Sequence, residues 1–373
     1  MKYYLLLITC FITTFGKSQT TLVDSFLYQG IMRTYKVYVP SIYNSNNAVP
    51  LVLNLHGCTS NMDEQEVYGD FRPIADTANF IIVHPNGVAD TAGTRSWSCF
   101  GIGTINDVGF LSTLIDTIAL HYAINAQRIY STGFSNGGFM SYELACKLSN
   151  RIAAIASVAG SMAVTQFLNC VPSHNIPIMQ IHGTDDPTVL YAGDVWYVSA
   201  DSLVHYWQLK NNCNANPIHT MVPDIVTSDL CSADHYVYNN GMQGSTVEFY
   251  KITDGKHTWP GAPINLSVTN MDFSASKEIW RFFNQYSLAP NEVSSLTSKP
   301  VVQFTNPVHD YLDLFLQPDN IDAIAILNLS GKVIWESKRL TNHMQIHLPS
   351  SGIYFIHVLT PQKKEVYKVL NLN

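Results

Sequence analysis

A serine, an aspartate pair and a histidine in this 373-residue chain are of the types, and in the settings, that acyl transfer requires. Ser135 lies in Gly133-Phe134-Ser135-Asn136-Gly137-Gly138, where the β-rich run Arg128 to Thr132 meets Phe139, Met140, Leu144 and Leu148 at helical spacing. A strand that reverses sharply into a helix strains the residue at the bend, and flanking glycines let the two elements approach. The Ser135 hydroxyl is then expected to stand exposed at the top of a sheet. The Asn136 amide, first in the helix, is placed to stabilise negative charge growing on a substrate oxygen.

A serine nucleophile needs a base to take its proton, an acid to orient that base, and donors for the oxyanion. His257, in Asp254-Gly255-Lys256-His257-Thr258-Trp259-Pro260-Gly261, is the expected base. Asp186, in His182-Gly183-Thr184-Asp185-Asp186, is the expected acid, with its neighbour Asp185 as the alternative. The second oxyanion donor is expected from the Cys58 amide, which follows the apolar run ending in His56-Gly57. His56 itself is read as structural, its ring bonded to nearby backbone. Asp107 opens a helix, where a carboxylate suits the helix dipole, and is also read as structural.

These residues must be positioned by a mostly parallel sheet. Leu22 to Tyr28 and Ile31 to Val39 read as an antiparallel hairpin, and Pro50 to Leu55 and Phe80 to His84 as strands buried on both faces, with a helix over Phe71 to Asn79 between them. Leu111, Leu114, Ile115, Ile118 and Tyr122 mark a further helix face. Ile152 to Val158, Pro177 to Ile181 and Val247 to Ile252 read as later strands, Val195 to Lys210 as a helix, the stretch from Asn211 as an Asn-rich loop, and Ser274 to Tyr286 as the closing helix. The fold class is therefore α/β, and Ser135, Asp186 and His257 each follow a strand at its C-terminal end, where open sheets of this kind place their sites. The order serine, acid, histidine is that of the α/β-hydrolase arrangement. Residues 288–300 read as a Ser/Thr/Pro linker, and residues 301–373, with short alternating runs between turn residues, as a small all-β sandwich.

Composition narrows the partners. The chain is 46% hydrophobic and 13% charged, with a formal net charge of -7 and no Lys/Arg run, which argues against nucleic acid. Residues 1–18 read as a signal peptide: Lys2, an apolar run from Tyr3 to Phe15, then Gly16-Lys17-Ser18. No run is long enough for an integral membrane segment. No Cys or His spacing suggests a metal, and the chemistry needs no cofactor. Six cysteines follow the signal, and in an exported chain they are expected to pair with their nearest neighbours as Cys58–Cys99, Cys146–Cys170 and Cys213–Cys231.

Taken together, Leu53-Asn54-Leu55-His56-Gly57-Cys58, Asn106-Asp107-Val108-Gly109-Phe110, Gly133 to Gly138, Ile181 to Asp186 and His257 to Gly261 resemble the secreted esterases of carbohydrate esterase family one. That group includes feruloyl and acetylxylan esterases and polyhydroxybutyrate depolymerases. The resemblance covers residues 22–286 and implies an acyl-enzyme mechanism on Ser135, Asp186 and His257, oxyanion donors at Cys58 and Asn136, and Tyr191 and Trp259 lining the acyl site. Relatives often carry Ala at the position of Asp185, which supports Asp186 as the acid. Asn306 to Leu312, Ser330-Gly331-Lys332-Val333, Ser351 to Tyr354 and Lys368-Val369-Leu370 resemble the C-terminal sorting domain of the type IX secretion system, which implies that machinery as a partner.

The expected protein is thus a secreted serine esterase acting on an ester-bearing polymer or oligomer, with feruloyl or acetyl groups on plant polysaccharide as the first reading and a short-chain polyester as the alternative. Trp97, Tyr191, Trp196 and Trp259 are expected to shape an acyl pocket. An acyltransferase and a non-catalytic binding module are the rivals from other classes.

Overall fold

The computed structural model describes residues 19–101, 104–264, 266–288, 302–329, 331–361 and 364–372. The expected signal, and all of the expected linker after Leu288, lie outside the described residues. The chain divides into two compact units, Met1–Pro290 and Asn291–Asn373.

The first unit runs β1 (Thr20–Tyr28), β2 (Ile31–Val39), β3 (Val49–Leu55), α1 (Met62–Tyr68), α2 (Arg72–Ala78), β4 (Ile81–Pro85), a small hairpin of β5 (Val88–Ala89) and β6 (Arg95–Ser96), then α3 (Asp107–His121). It continues with β7 (Ile124–Phe134), α4 (Asn136–Lys147), β8 (Ala154–Val158), α5 (Val164–Asn169), β9 (Ile178–Gly183), α6 (Ala200–Lys210), β10 (Ile218–Met221), β11 (Ser232–Tyr238), β12 (Val247–Thr253) and α7 (Ala275–Phe283). Ten strands form one sheet in the order β1-β2-β4-β3-β7-β8-β9-β12-β11-β10. Strands β4, β3, β7, β8, β9 and β12 run parallel, and antiparallel strands flank them on both edges.

Alternation along the buried strands divides the core in two. Leu51, Leu53, Leu55, Ile81 and Val83 pack with Leu111, Leu114, Phe139 and Leu144 of α3 and α4. Val52, Ile82, Met179 and Ile181 pack with Ile279, Phe282 and Phe283 of α7. Every residue of β3 is buried because helices cover both faces.

Two expectations need correction. The stretch from Asn211 is not all loop, since β10 and β11 lie there and extend the sheet by two strands. Every residue of β10 is exposed, so that strand lacks an apolar alternation. The helix expected from Val195 starts only at Ala200, where the Ser199 hydroxyl accepts the Ser202 amide at 3.1 Å and caps it.

Of the three expected disulfides only Cys146–Cys170 is formed; Cys58, Cys99, Cys213 and Cys231 are free. Cys58 is exposed, whereas Cys99 is buried with its sulfur 3.1 Å from Asn136 Nδ2. Cys213 and Cys231 belong to the cores on opposite faces of the sheet, so Cys213–Cys231 cannot close.

The second unit holds β13 (Val302–Gln303), β14 (Tyr311–Leu316), β15 (Ala323–Asn328), β16 (Val333–Ser337), β17 (His343–His347), β18 (Gly352–Leu359) and β19 (Lys364–Asn371). A three-stranded sheet, β13-β14-β17, and a four-stranded sheet, β16-β15-β18-β19, share a core that includes Leu312, Leu314, Ile324, Ile326, Ile356 and Val358. Among the described residues no helix is long and apolar enough to cross a membrane.

Candidate active site

Ser135 stands between β7 and α4 at φ 53° and ψ -118°, a backbone conformation strained for any residue with a Cβ. The strain is imposed by close packing beneath it. A Cβ on Gly137 would fall 2.2 Å from the Leu55 carbonyl oxygen, so only glycine lets α4 start this close to the end of β3. The Ser135 amide donates to the Val158 carbonyl at 2.8 Å and holds the bend to β8.

Asp186 and His257 reach one another because two loops are laced together. A Cβ on Gly183 would meet the Gly255 carbonyl oxygen at 2.2 Å, and the Asp185 amide donates to that same carbonyl at 3.1 Å. The loop after β9 therefore lies directly on the loop after β12. Asp186 is buried; its Oδ1 accepts the amides of Thr188 at 2.8 Å and Val189 at 2.9 Å, and its Oδ2 lies 2.7 Å from His257 Nδ1. Asp185 points outward and pairs with Lys256 at 2.9 Å. The structure thus brings Asp186, and not Asp185, to the histidine. A carboxylate on Nδ1 fixes the tautomer with that nitrogen protonated and leaves Nε2 free to accept.

His257 and Ser135 line one cavity of about 860 Å³. The hydroxyl caps no helix amide and makes no hydrogen bond among the described residues. The Phe134 ring packs 4.7 Å from the imidazole, and Tyr68, Val67, Ile264 and Leu266 supply the apolar remainder of the wall. Cys58 lies on the same wall. Among the described residues no protein acceptor takes the amide of Cys58 or of Asn136.

His56 and Trp97 set the course of the Cys58 loop. The His56 Nδ1 lies 2.7 Å from the Gly57 carbonyl oxygen, the Gly87 amide donates to Nε2 at 2.9 Å, and Trp97 Nε1 donates to the His56 carbonyl at 2.9 Å. Burial lowers the His56 pKa to about 4 and keeps the ring neutral, as these partners require. Asp107 is equally structural: it pairs with buried Arg33 at 2.7 Å and accepts the Ser98 amide at 2.8 Å.

The chain can be compared with known proteins on this geometry. Residues 103–240 match the sequence model of the phospholipase/carboxylesterase family, and residues 304–371 match that of a secretion system C-terminal sorting domain. The fold is like that of an acetyl xylan esterase from Aspergillus awamori, with a TM-score of 0.52 at 12% identity over 70% of this chain and 99% of that one. The first unit has the α/β-hydrolase fold. Curated relatives include a bifunctional acetylxylan esterase/xylanase of Neocallimastix patriciarum, 32% identical over 44% of this chain and 23% of its own length. Another is feruloyl esterase B of Piromyces equi, 29% identical over 68% of this chain and 45% of its own. The chain therefore spans less than half the length of either relative.

The four aromatic residues expected to shape the acyl pocket are not in the wall of the Ser135 cavity. Trp259 is buried in the core, its ring against Phe71 and its Nε1 donating to Ser276 Oγ at 3.2 Å. Tyr191 donates its hydroxyl to Asp201 at 2.6 Å and stacks on Phe249. Trp97 and Trp196 line a different cavity. Trp259 and Trp97 each find a buried partner for the indole N–H, which favours the interior over an open wall. Sequence reasoning missed Phe134, Tyr68, Val67, Ile264 and Leu266. It also missed His182, whose Nε2 lies 2.8 Å from the Val189 carbonyl oxygen and 3.6 Å from Asp186 Oδ2, bracing the turn that carries the acid. Phe134 adjoins the serine and Ile264 follows the histidine loop, the only local signals there were. Among the described residues no group of His, Cys, Asp or Glu is placed to hold a metal ion.

Proposed function

We propose that this protein is an exported serine esterase that hydrolyses carboxylic esters through an acyl-enzyme. The observation that carries the proposal is the 2.7 Å contact from His257 Nδ1 to buried Asp186, on a ring that shares a cavity with Ser135. In the first half-reaction the Ser135 oxygen attacks the ester carbonyl while His257 Nε2 takes its proton. The tetrahedral oxyanion is held by the Cys58 and Asn136 amides, which have no competing acceptor among the described residues. The alcohol leaves with the proton from Nε2. Water then adds to the acyl carbon by the same proton route, releasing the acid and restoring Ser135.

The substrate proposed is a feruloyl or acetyl ester on a polysaccharide. A cavity of about 860 Å³ walled by Val67, Tyr68, Phe134, Ile264 and Leu266 suits a planar aromatic acyl group, and the curated relatives act, by their names, on feruloyl and acetylxylan esters. The match of residues 304–371 supports delivery by the type IX machinery.

The test compares methyl ferulate, acetylated xylan, p-nitrophenyl acetate and polyhydroxybutyrate as substrates of the wild-type chain and of Ser135→Ala. A fluorophosphonate probe is applied to both. Ferulate and acetate release that falls by roughly a millionfold in the variant, with loss of labelling, is the expected result. Labelling that survives in Ser135→Ala would overturn the mechanism, and turnover of polyhydroxybutyrate alone would overturn the substrate.

A further inference from the structure

A second cavity of about 620 Å³ shares no wall residue with the first. Its wall includes Trp97, Cys99, Phe100, Val88, Asp90 and Trp196. The Asn136 side chain ties it to the catalytic turn: Asn136 Oδ1 accepts the Trp97 amide at 2.6 Å, while Nδ2 donates to the Trp97 carbonyl at 3.3 Å and to Cys99 Sγ at 3.1 Å. Ser135 thus faces one cavity, and its neighbour Asn136 braces the Trp97 and Cys99 wall of the other.

The unusual feature of this second cavity is Trp196. Its side chain is 60% exposed although large aromatic residues are usually covered. Its main chain is anchored, since its amide donates to Asp194 Oδ1 at 2.7 Å and its carbonyl accepts the Val164 amide at 2.9 Å. An open indole face is electron-rich and suits a flat ligand surface that presents C–H bonds. The same wall carries exposed Asp90, whose Oδ1 takes the amides of Ala92 and Thr94, leaving Oδ2 to accept from a ligand hydroxyl. A ring with C–H bonds on its face and hydroxyls at its edge is a sugar.

Resting on the esterase proposal, we infer that this cavity is the leaving-group subsite: it binds the pyranose or furanose ring whose hydroxyl carries the ester, with Trp196 as the stacking platform. The acyl half lies in the cavity of Ser135 and His257. The sugar half crosses the Asn136 boundary and rests on Trp196, so the scissile bond spans the two cavities.

The test uses the full chain and its Trp196→Ala and Trp196→Phe variants. For each, kcat/KM is measured on a feruloylated arabinoxylo-oligosaccharide and on methyl ferulate, which has no sugar. The ratio of the two values is expected to fall roughly three- to tenfold in Trp196→Ala and to recover in part in Trp196→Phe. A ratio within twofold of wild type in Trp196→Ala overturns the subsite. In parallel, binding of the unesterified oligosaccharide to Ser135→Ala is read by titration calorimetry, and the Trp196→Ala change added to that protein is expected to abolish it. If wild type cleaves neither ester, the esterase proposal fails by itself. The subsite is then judged by binding alone, and oligosaccharide binding that is absent from Ser135→Ala, or persists without Trp196, overturns it.

Discussion

Replacing Asp186 by Asn changes one charge and nothing in volume, so its outcome follows from three contacts. Oδ1 can keep the amides of Thr188 and Val189, which fixes the side-chain amide with its nitrogen toward His257. That nitrogen is a donor where the carboxylate accepted, 2.7 Å from Nδ1. The ring must answer by accepting at Nδ1, which moves its proton to Nε2, the nitrogen needed to deprotonate Ser135. The base is then in the wrong tautomer, a defect that costs about ten-thousandfold in kcat, or about 5 kcal/mol of barrier. Because the turn keeps its amide contacts, the unfolding midpoint should move little. Asp185→Asn is the internal control: it breaks only an outward pair with Lys256, and kcat/KM should stay within about twofold. Steady-state rates on p-nitrophenyl acetate with parallel thermal melts read both variants. If Asp186→Asn retains activity within tenfold of wild type, or Asp185→Asn proves the severe variant, the acid has been assigned to the wrong residue.

Three further outcomes follow from the packing. Burial lowers the pKa of His56 to about 4 and of His84 to about 3, against an unfolded value of about 6.5, so in that interval the unfolded chain binds protons that the folded one refuses. Stability is full above pH 6.5 and should fall below it, by up to about 1.4 kcal/mol per pH unit for each ring; urea midpoints unchanged between pH 7 and pH 4.5 would contradict this. Cys146–Cys170 spans a sequence separation of 24, so removing it with paired alanines should cost about 3 kcal/mol, and the unfolded, unreduced chain from residue 19 onward should titrate four thiols rather than none. Asp107→Asn leaves the Arg33 cation buried without its partner and should cost about 3–5 kcal/mol in denaturant unfolding. Asp116→Asn, which breaks the exposed pair with Arg151, should cost less than about 1 kcal/mol.

Much of the scaffold was legible because the buried strands carry their own signal. Val49–Leu55 and Ile81–Pro85 are apolar on both faces, and the residues that meet in the cavity follow such runs directly. Glycines at 133, 137 and 183 mark where backbones touch, and those contacts bring the loops together. What stayed hidden is decided by rotation and distance rather than by residue type. Nothing local tells that the Trp259 indole turns inward to Ser276, or that Cys213 and Cys231 lie on opposite faces of the sheet. The seven-residue helix Met62–Tyr68 gives the cavity Val67 and Tyr68, yet Asp63, Glu64, Gln65 and Glu66 obscure its apolar face in sequence.

Asn136 has two separable parts: in the proposed mechanism its main-chain amide faces the carbonyl under attack, and its carboxamide staples residues 97–99. Attempts to retune the protein toward bulkier alcohols should therefore leave that staple alone, since shifting it would disturb the nucleophile as well. Variation is safer in the Asp194–Tyr197 turn, whose hydrogen bonds run to Leu190 and Val164 and not to the Ser135 bend. If the proposed subsite holds, a library confined to that turn should change which sugars bind there while the Ser135 bend stays as it is.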